Sequence, residues 1–150
     1  MTGGYLLDTS TVIALAQDRE VAQSLERFAP VLTAISIVTE AELRAGLNTV
    51  TGQVRLTRMA VLERLLTMYE PLPFDRAVAQ AYGRVHLAVV ESGRRPRGRL
   101  ADLFIAATAL AHDLTLLTAN IDDFVGLERL VRVLEIPSPP SPPDGDVSGR

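Results

Sequence analysis

The apolar positions of this chain fall into two kinds of stretch that follow one another from end to end. Short stretches rich in apolar residues, typical of buried strands, occupy residues 4–7, 31–34, 114–118 and 131–135. Longer stretches, with apolar positions three and four residues apart, predict helices over residues 9–16, 20–28, 36–47, 53–68, 75–91 and 99–112. Because strands alternate with helices, we expect an α/β/α sandwich with a central, mostly parallel sheet.

Polar residues mark the starts of several predicted helices. Ser36 and Asp75 can each accept a hydrogen bond from a free backbone N–H in the first turn of a helix. Thr9 or Ser10 can cap the first helix in the same way, which would leave Asp8 free for another role. Residues 69–73 are interrupted by prolines and predict a connector or an edge segment rather than a central strand.

Length and composition indicate one domain followed by a tail. A chain of 150 residues with 47% hydrophobic content can build a single sizeable core. We expect that domain to cover residues 1–135. Residues 136–150 are rich in proline and show no periodicity, which predicts a disordered extension without a part in the chemistry.

Several classes of protein are excluded by what the chain lacks. Its most apolar stretch, residues 100–119, is interrupted by Asp102, His112 and Asp113, so we expect no membrane association. No signal peptide is visible at the start of the chain. The sequence contains no cysteine, which excludes a disulfide framework, a thiolate zinc site and a cysteine nucleophile. A reducing, cytoplasmic location agrees with that composition and is the one we expect.

Four acidic residues stand where predicted strands or helices begin or end: Asp8, Glu42, Asp102 and Asp123. Because the carboxyl ends of parallel strands meet at one crevice, we expect these side chains to converge. Carboxylates that crowd together repel one another unless a cation lies among them, and Mg²⁺ prefers oxygen ligands. The pattern therefore predicts a metal-dependent site for phosphate chemistry.

Each acid also has an ordinary structural explanation when it is considered alone. Asp8 can cap a helix, and Glu42 can be a surface residue. Asp102 gains roughly 0.3–1 kcal/mol from the dipole of the helix that it opens. These separate explanations do not account for the placement of all the acids at element boundaries on one expected edge of the sheet.

Two of the acids have acidic neighbours that compete for the same role. Glu40 and Glu42 differ by about 200° around a helix, so both cannot face one site, and we expect Glu40 to be solvated. Asp122 and Asp123 are adjacent, and at most one of them is expected to face inward.

A run of arginines precedes one of the acids. Arg94, Arg95, Arg97 and Arg99 place four guanidinium groups in six consecutive positions, shortly before Asp102. Such a run is usually a solvated loop. Beside a cluster of acids it can also hold the phosphates of a polyanion that carboxylates alone would repel. The net charge of −3 does not by itself indicate a nucleic-acid-binding protein.

All fifteen basic residues are arginine, and this removes several alternatives. Without lysine the chain cannot form a Walker A phosphate loop or a Schiff base. A phosphatase with an aspartate nucleophile is also disfavoured. Residues 8–12 lack the second acid of its Asp-x-Asp-x-Thr motif, and the lysine that neutralises phosphate in that class is missing.

These residues, in this order, resemble the PIN-domain ribonucleases, and among them the VapC-type toxins of toxin–antitoxin pairs. The matching segments are LLDTS at 6–10, ISIVTEAELRAG at 35–46, DLFIAATALAHDLTLLT at 102–118 and TANIDDF at 118–124. The resemblance covers residues 1–135. It implies a small PIN-like α/β/α sandwich that binds Mg²⁺ or Mn²⁺ and forms a homodimer.

The resemblance also implies roles for individual residues. It assigns the catalytic acids to Asp8, Glu42, Asp102 and Asp123, and metal binding to all of these except Glu42. The implied supporting residues are Ser10, Thr118 and Asn120. Some relatives carry the fourth acid at the position of Asn120 and others at that of Asp123. This chain has the neutral residue first, so we assign the acid to Asp123, and the choice between the two positions stays open.

The implied activity is hydrolysis of RNA by a water molecule that Mg²⁺ or Mn²⁺ activates, with Glu42 or Asp123 taking its proton. The implied partners are RNA, which the arginine run would contact, and a VapB-like antitoxin whose tail enters the toxin groove. The alternative is a non-catalytic PIN-like module that binds RNA or protein.

Overall fold

The computed structural model describes residues 3–17, residue 23 and residues 32–137 of the chain. The predicted helix at 20–28 therefore lies outside the described residues, as does the predicted tail from residue 138 onward. Four strands form a sheet: β1 (Gly4–Leu7), β2 (Leu32–Ile35), β3 (Leu114–Thr118) and β4 (Val133–Glu135).

The sheet is parallel throughout, and its strand order is β2-β1-β3-β4. In register, Leu7 at the end of β1 lies between Ile35 of β2 and Leu117 of β3. The carboxyl ends of the strands consequently share one edge of the sheet, here called the carboxyl edge. The predicted central parallel sheet is confirmed.

Five helices of the described part connect and cover the strands: α1 (Thr9–Gln17), α2 (Ile37–Gly46), α3 (Gly52–Met68), α4 (Arg76–Glu91) and α5 (Leu100–Ala111). The hydroxyl of Ser36 accepts a hydrogen bond from the N–H of Val38, and Asp75 accepts one from Val78. Both predicted helix caps are confirmed. No helix within the described ranges is long and apolar enough to cross a membrane.

The core has two parts because successive strand residues point to opposite faces of the sheet. On one face, Leu6 and Leu116 pack with the buried side chains of α4 and α5. On the other face, Leu7 and Leu117 pack with Val12 of α1 and with leucines of α3. Helices therefore cover both faces, as an α/β/α sandwich requires.

Two predictions concern the edges of the sheet. The structure corrects one of them and confirms the other. The last strand begins at Val133, and the predicted start at residue 131 is wrong. Val131 is buried, but its N–H and that of Leu130 donate to the carbonyl of Leu127, so these residues form turns instead of a strand. The predicted edge segment at 69–73 is confirmed, because Leu72 bridges to Ser36 beside β2.

The packed part of the chain reaches at least to Ile136. Its side chain is only 2% exposed, and its N–H donates to the carbonyl of Thr118 at 2.8 Å. Ile136 thus continues the pairing of β4 with β3 at the carboxyl edge. It is the first residue of the predicted tail, and it belongs to the core.

Candidate active site at the carboxyl edge

Asp8 is the most constrained acid of the carboxyl edge. It directly follows β1, and its residue is only 2% exposed. Oδ1 accepts hydrogen bonds from the Ser10 hydroxyl and the Thr11 N–H, both at 2.8 Å. Oδ2 accepts one from the Thr118 hydroxyl at 2.6 Å. These bonds fix the orientation of the carboxylate within the sheet edge.

The bond from Thr11 corrects one expectation about Asp8. Thr9 or Ser10 was expected to cap α1 and to leave Asp8 free, but the helix begins at Thr9. Asp8 therefore occupies the position before the first helical residue, from which a carboxylate reaches the N–H three residues on. It caps the helix and still lies at the site, because each carboxylate oxygen can accept more than one bond.

Ser10 and Thr118, both predicted as supporting residues, connect α1 to the end of β3. Their hydroxyl oxygens are 3.3 Å apart, and the Ser10 hydroxyl also accepts from the N–H of Ala119 at 3.1 Å. The Thr118 hydroxyl accepts from the N–H of Asn120 at 3.0 Å. The structure thus brings both residues to Asp8, whereas it engages Asn120 through its main chain and leaves that residue exposed.

Glu42 reaches the carboxyl edge from α2. Its Oε1 accepts a hydrogen bond from the Thr9 hydroxyl, which lies next to Asp8 in the chain. The hydroxyl oxygens of Thr9 and Thr39 are 3.3 Å apart. Sequence reasoning considered Thr9 only as a helix cap and missed this contact. Its position beside Asp8 was the available signal.

Glu40 pairs with Arg44, and at 17% side-chain exposure it is less solvated than expected. Its carboxylate pairs with Arg44 one turn later, at 2.7 Å, and the Arg44 side chain is 57% exposed. An exposed pair of this kind contributes little to stability. The assignment of Glu42 rather than Glu40 to the site is consistent with this geometry.

Asp102 lies in the first turn of α5 and is half-buried. Its pKa depends on the other acids around it. Burial, followed by the charges of Asp123, Glu42 and Asp8, raises the pKa of this carboxyl from 3.8 to about 6. Arg99 acts in the opposite direction. A charge affects a pKa in this way only over short distances, so the four acids form one electrostatic cluster.

Asp123 belongs to a short 3₁₀ helix, Ile121–Phe124, that follows β3. The side chain of Phe124 is buried in the core and anchors this segment. Asp122 is exposed and Asp123 half-buried, and of the charged neighbours Asp123 raises the pKa of Asp102 the most. Asp123 is thus the member of the adjacent pair that is near the other acids.

The four arginines of the predicted phosphate-binding run differ in their contacts. Arg94, Arg95 and Arg97 are exposed, whereas Arg99 is half-buried. Arg99 Nη1 donates to the main-chain carbonyls of Asp122 at 3.2 Å and Asp123 at 3.4 Å. The structure therefore places Arg99 within the site, with its guanidinium directed at protein carbonyls.

The acids offer the kind of ligands that a hard divalent cation prefers. They supply only carboxylate oxygens. The charges of the other acids raise the pKa of Asp102, and a cation among them would relieve this repulsion. Within the described ranges, no three Asp, Glu or His side chains lie close enough together to hold an ion. The donor chemistry fits Mg²⁺ or Mn²⁺, and ion binding would require the carboxylates to draw together.

A predominantly apolar groove of about 390 Å³ adjoins the acids. It runs between α1, α2 and α3, and Glu42 lies in its wall. Most of its lining is aliphatic, including Val12, Ile13, Leu43, Val54, Val61 and Leu65. Arg58 and Gln53 add polar groups at α3. Val54 is 52% exposed and Ile13 is 42% exposed, so the groove is open to a binding partner.

Comparison with known proteins agrees with this arrangement of strands and acids. A family model described as the PIN domain matches residues 5–130. The chain is 40% identical over 129 residues to Ribonuclease VapC5 of Mycobacterium tuberculosis, covering 85% of this chain and 90% of that protein. It is 29% identical over 128 residues to Ribonuclease VapC1 of Rickettsia felis, covering 85% and 92% respectively.

Solved structures show the same likeness. The crystal structure of a member of the VapBC family of toxin–antitoxin systems, VapBC-5 from Mycobacterium tuberculosis, matches with a TM-score of 0.68 and 35% identity. The match covers 89% of this chain and 98% of that chain. FitAcB from Neisseria gonorrhoeae matches with a TM-score of 0.68 and 28% identity, over 87% and 96% of the two chains.

Proposed function

The chain belongs to the PIN-domain family, and we propose that it is a VapC-type endoribonuclease that hydrolyses RNA phosphodiester bonds with the help of Mg²⁺ or Mn²⁺. The resemblance inferred from its motifs is confirmed by the family match over residues 5–130. Relatives that are 40% and 33% identical are named as ribonucleases, and the chain covers most of their length. The same fold with four acids at its carboxyl edge supports the same chemistry here.

The observation that carries the proposal is the electrostatic coupling of Asp102 to three acids from other parts of the chain. Burial and the charges of Asp123, Glu42 and Asp8 raise the pKa of Asp102 to about 6, and a carboxyl perturbed in this way among other acids is typical of a functional site. Binding of a divalent cation is the purpose that this set of oxygen ligands fits.

In the mechanism that we propose, Asp8, Asp102 and Asp123 hold the cation. A bound divalent cation supplies two effects: it makes a water molecule more acidic, and it offsets charge on the phosphoryl oxygens. Thr118, Ser10 and the Thr11 N–H keep the Asp8 carboxylate oriented for this task. Because these hydrogen bonds orient both of its oxygens, Asp8 needs little rearrangement when a substrate binds.

We assign the proton transfer to Glu42. The Thr9 hydroxyl holds its Oε1, which leaves Oε2 directed away from that bond and able to accept a proton from the attacking water. Asp123 is the alternative acceptor, and substituting each acid by its amide distinguishes the two. The residue that accepts the proton is expected to affect the pH profile of cleavage as well as its rate.

The direct test is cleavage of a labelled single-stranded RNA by the purified chain. We expect cleavage with Mg²⁺ or Mn²⁺ and none with EDTA. Asp8→Asn and Asp102→Asn should abolish it, because an amide cannot supply the charge that holds a cation. Glu40→Gln is the matched control, since Glu40 is an acid of the same helix as Glu42 and its carboxylate pairs with Arg44.

Undiminished cleavage by Asp8→Asn or Asp102→Asn would contradict the proposal. RNA binding without cleavage by the unsubstituted protein would instead favour a non-catalytic PIN-like module. If the unsubstituted protein cleaves RNA, mapping of the cleaved ends across total RNA identifies the substrate.

We also propose that a small VapB-like antitoxin neutralises this protein. The structural relative VapBC-5 is described as a member of a family of toxin–antitoxin systems. The apolar groove beside Glu42 is a suitable surface for a partner, because an occupant would bury aliphatic side chains next to an acid of the site. Homodimer formation and a cytoplasmic location stay predictions.

A further inference from the structure

Arg99 stands at the junction of two acid-bearing segments. Its main chain is fixed at both ends, because its N–H donates to the carbonyl of Pro96 at 3.2 Å and its carbonyl accepts from Leu103 at 3.0 Å. The second of these bonds belongs to the first turn of α5. Asp102 lies in the same turn, three residues after Arg99. The origin of the Arg99 side chain is therefore fixed relative to Asp102.

The other end of the Arg99 side chain is bound to the segment that carries Asp123. Nη1 has two hydrogens, and it donates to the carbonyls of Asp122 at 3.2 Å and Asp123 at 3.4 Å. These carbonyls lie in a 3₁₀ helix of four residues, which has few hydrogen bonds of its own. Bonds to a charged donor are stronger than those between neutral groups, so they matter more in such a short element.

A second contact links the same two parts of the chain. Gly126 has a φ of +96°, and a Cβ atom at this position would lie 2.9 Å from the Ser92 hydroxyl oxygen. Ser92 follows α4 two residues before the arginine run begins, and Gly126 lies two residues after the end of the Asp123 segment. The start of the run therefore also packs close to the chain that follows this segment.

We infer that Arg99 is a positioning residue that ties the Asp123 segment to the start of α5, and that it is not one of the phosphate contacts. Its amino group is already directed at two protein carbonyls. Arg95 and Arg97, by contrast, are exposed and make no hydrogen bond or ion pair within residues 32–137. The phosphate-binding role then falls to these exposed members of the run. This inference rests on the proposed function for its kinetic part only.

The inference separates two substitutions in the same loop. Arg99→Met keeps the length of the aliphatic chain but removes the donors, and should lower kcat about tenfold with little change in KM, because misplaced acids weaken the chemical step. Arg97→Met should raise KM, reduce the salt dependence of binding and leave kcat unchanged, as expected for a lost phosphate contact.

The decisive measurement is amide hydrogen exchange in the metal-free protein without RNA. We expect Arg99→Met to accelerate exchange at Asp123 and Val125 by about tenfold, since loss of the bonds allows local opening of this segment. Exchange in β3 should stay unchanged. Arg97→Met should exchange like the unsubstituted protein. Arg99→Lys retains a donor group and should give an intermediate result.

Equal exchange at Asp123 and Val125 in all variants would overturn the inference, as would an Arg99→Met variant that raises KM and leaves kcat intact. The exchange experiment does not depend on catalysis. A failure of the unsubstituted protein to cleave RNA would count against the proposed function, and accelerated exchange in Arg99→Met would still support the positioning role.

Discussion

Both oxygens of the Asp8 carboxylate accept hydrogen bonds from neutral donors, and one of those donors lies on a different strand. The Thr118 hydroxyl, fully buried, reaches Oδ2 at 2.6 Å, whereas Ser10 and Thr11 hold Oδ1. A carboxylate oriented in this way is ready to bind a cation without first adjusting its rotamer. The supporting hydroxyls should therefore influence activity although they need not contact the substrate.

Thr118→Val tests this support, because valine has a similar shape and lacks the hydroxyl. Bonds to charged groups contribute about 1.5–3 kcal/mol, so we expect kcat/KM to fall about tenfold or more as Asp8 loses its second anchor. Thr108→Val is the matched control. Thr108 is equally buried, but its hydroxyl donates to the carbonyl of Phe104 in α5. Equal losses of activity in the two variants would contradict the role of Thr118.

Asp102 introduces a dependence on pH that can be measured without RNA. Its pKa is about 6 in the folded protein, chiefly because of burial, and its ordinary value is 3.8. Between these values the folded metal-free protein retains a proton that the unfolded chain has released. The stability from this group is thus fully present below the unfolded value and is lost as pH rises through about 6.

Asp102→Asn removes this titration. When metal is absent and the pH is high, the variant should therefore be more stable than the unsubstituted protein. Since Asp102 is only half-buried, solvent screening should limit the gain over the unsubstituted protein to about 1 kcal/mol. Urea unfolding in EDTA at about pH 4.5 and about pH 7.5 measures it. If both proteins lost stability equally with rising pH, a different group would be responsible. Affinity of the unsubstituted protein for Mg²⁺ should rise over the same range.

Sequence reasoning located the acids more successfully than their partners. That Asp8, Asp102 and Asp123 share one edge follows from the order of strands and helices, which the apolar pattern predicts. The bond from Thr9 to Glu42 joins residues 33 positions apart, and the bonds of Arg99 to the Asp123 segment join residues more than 20 apart. Such contacts depend on how α2 and α5 pack beside the sheet, and spacing along the chain does not specify that packing.

At the scale of elements, local signals were the reliable ones. Ser36 and Asp75 cap helices as predicted, because a cap depends only on the residue and the next turn. The predicted start of β4 was too early. The N–H groups of Leu130 and Val131 donate to the carbonyl of Leu127, so Val131 lies in a turn and not in the strand. An apolar run alone does not distinguish a buried turn from a strand.

Asp75→Ala tests how far the site depends on the stability of α4. Asp75 accepts a hydrogen bond from Val78 at 3.0 Å, and α4 packs along α5, which carries Asp102. Loss of such a cap costs about 1 kcal/mol. We expect a lower urea midpoint but unchanged kcat/KM at temperatures where the protein is folded, because no atom of the site moves.

Glu63→Ala is the control for the change of charge. Glu63 is exposed within α3, and its carboxylate makes no hydrogen bond or ion pair in the part of the chain that the structure describes. Its substitution should leave both quantities nearly unchanged. A fall in kcat/KM for Asp75→Ala below its unfolding temperature would show that the cap also positions α5.

At the scale of the whole molecule, the carboxyl edge and the apolar groove meet at Glu42. The acids converge because the strands are parallel, and the groove forms where α1, α2 and α3 diverge beside the same edge. A partner that fills the groove would lie against Glu42 without having to bind the other acids. Substitutions in the groove away from Glu42 should therefore weaken inhibition by the partner and leave catalysis unchanged.

Val54→Arg makes that separation. Val54 lines the groove from α3 and is 52% exposed, so a charged side chain there should disturb an apolar partner without unfolding the protein. Burying an unpaired charge in such an interface costs more than the roughly 1.4 kcal/mol of a tenfold change, so we expect the inhibitory concentration of the antitoxin to rise at least about tenfold. RNA cleavage by the variant alone should stay unchanged.

Leu87→Arg provides the comparison, because Leu87 is 55% exposed on α4 and does not line the groove. It introduces the same charge at nearly the same exposure, so it should remain as sensitive to the antitoxin as the unsubstituted protein. Titration of the antitoxin into a cleavage assay distinguishes the two variants, and growth of cells that produce both proteins provides a second readout. If Leu87→Arg escaped inhibition and Val54→Arg did not, the partner would dock on the α4 side of the sheet, and Glu42 would have no part in neutralisation.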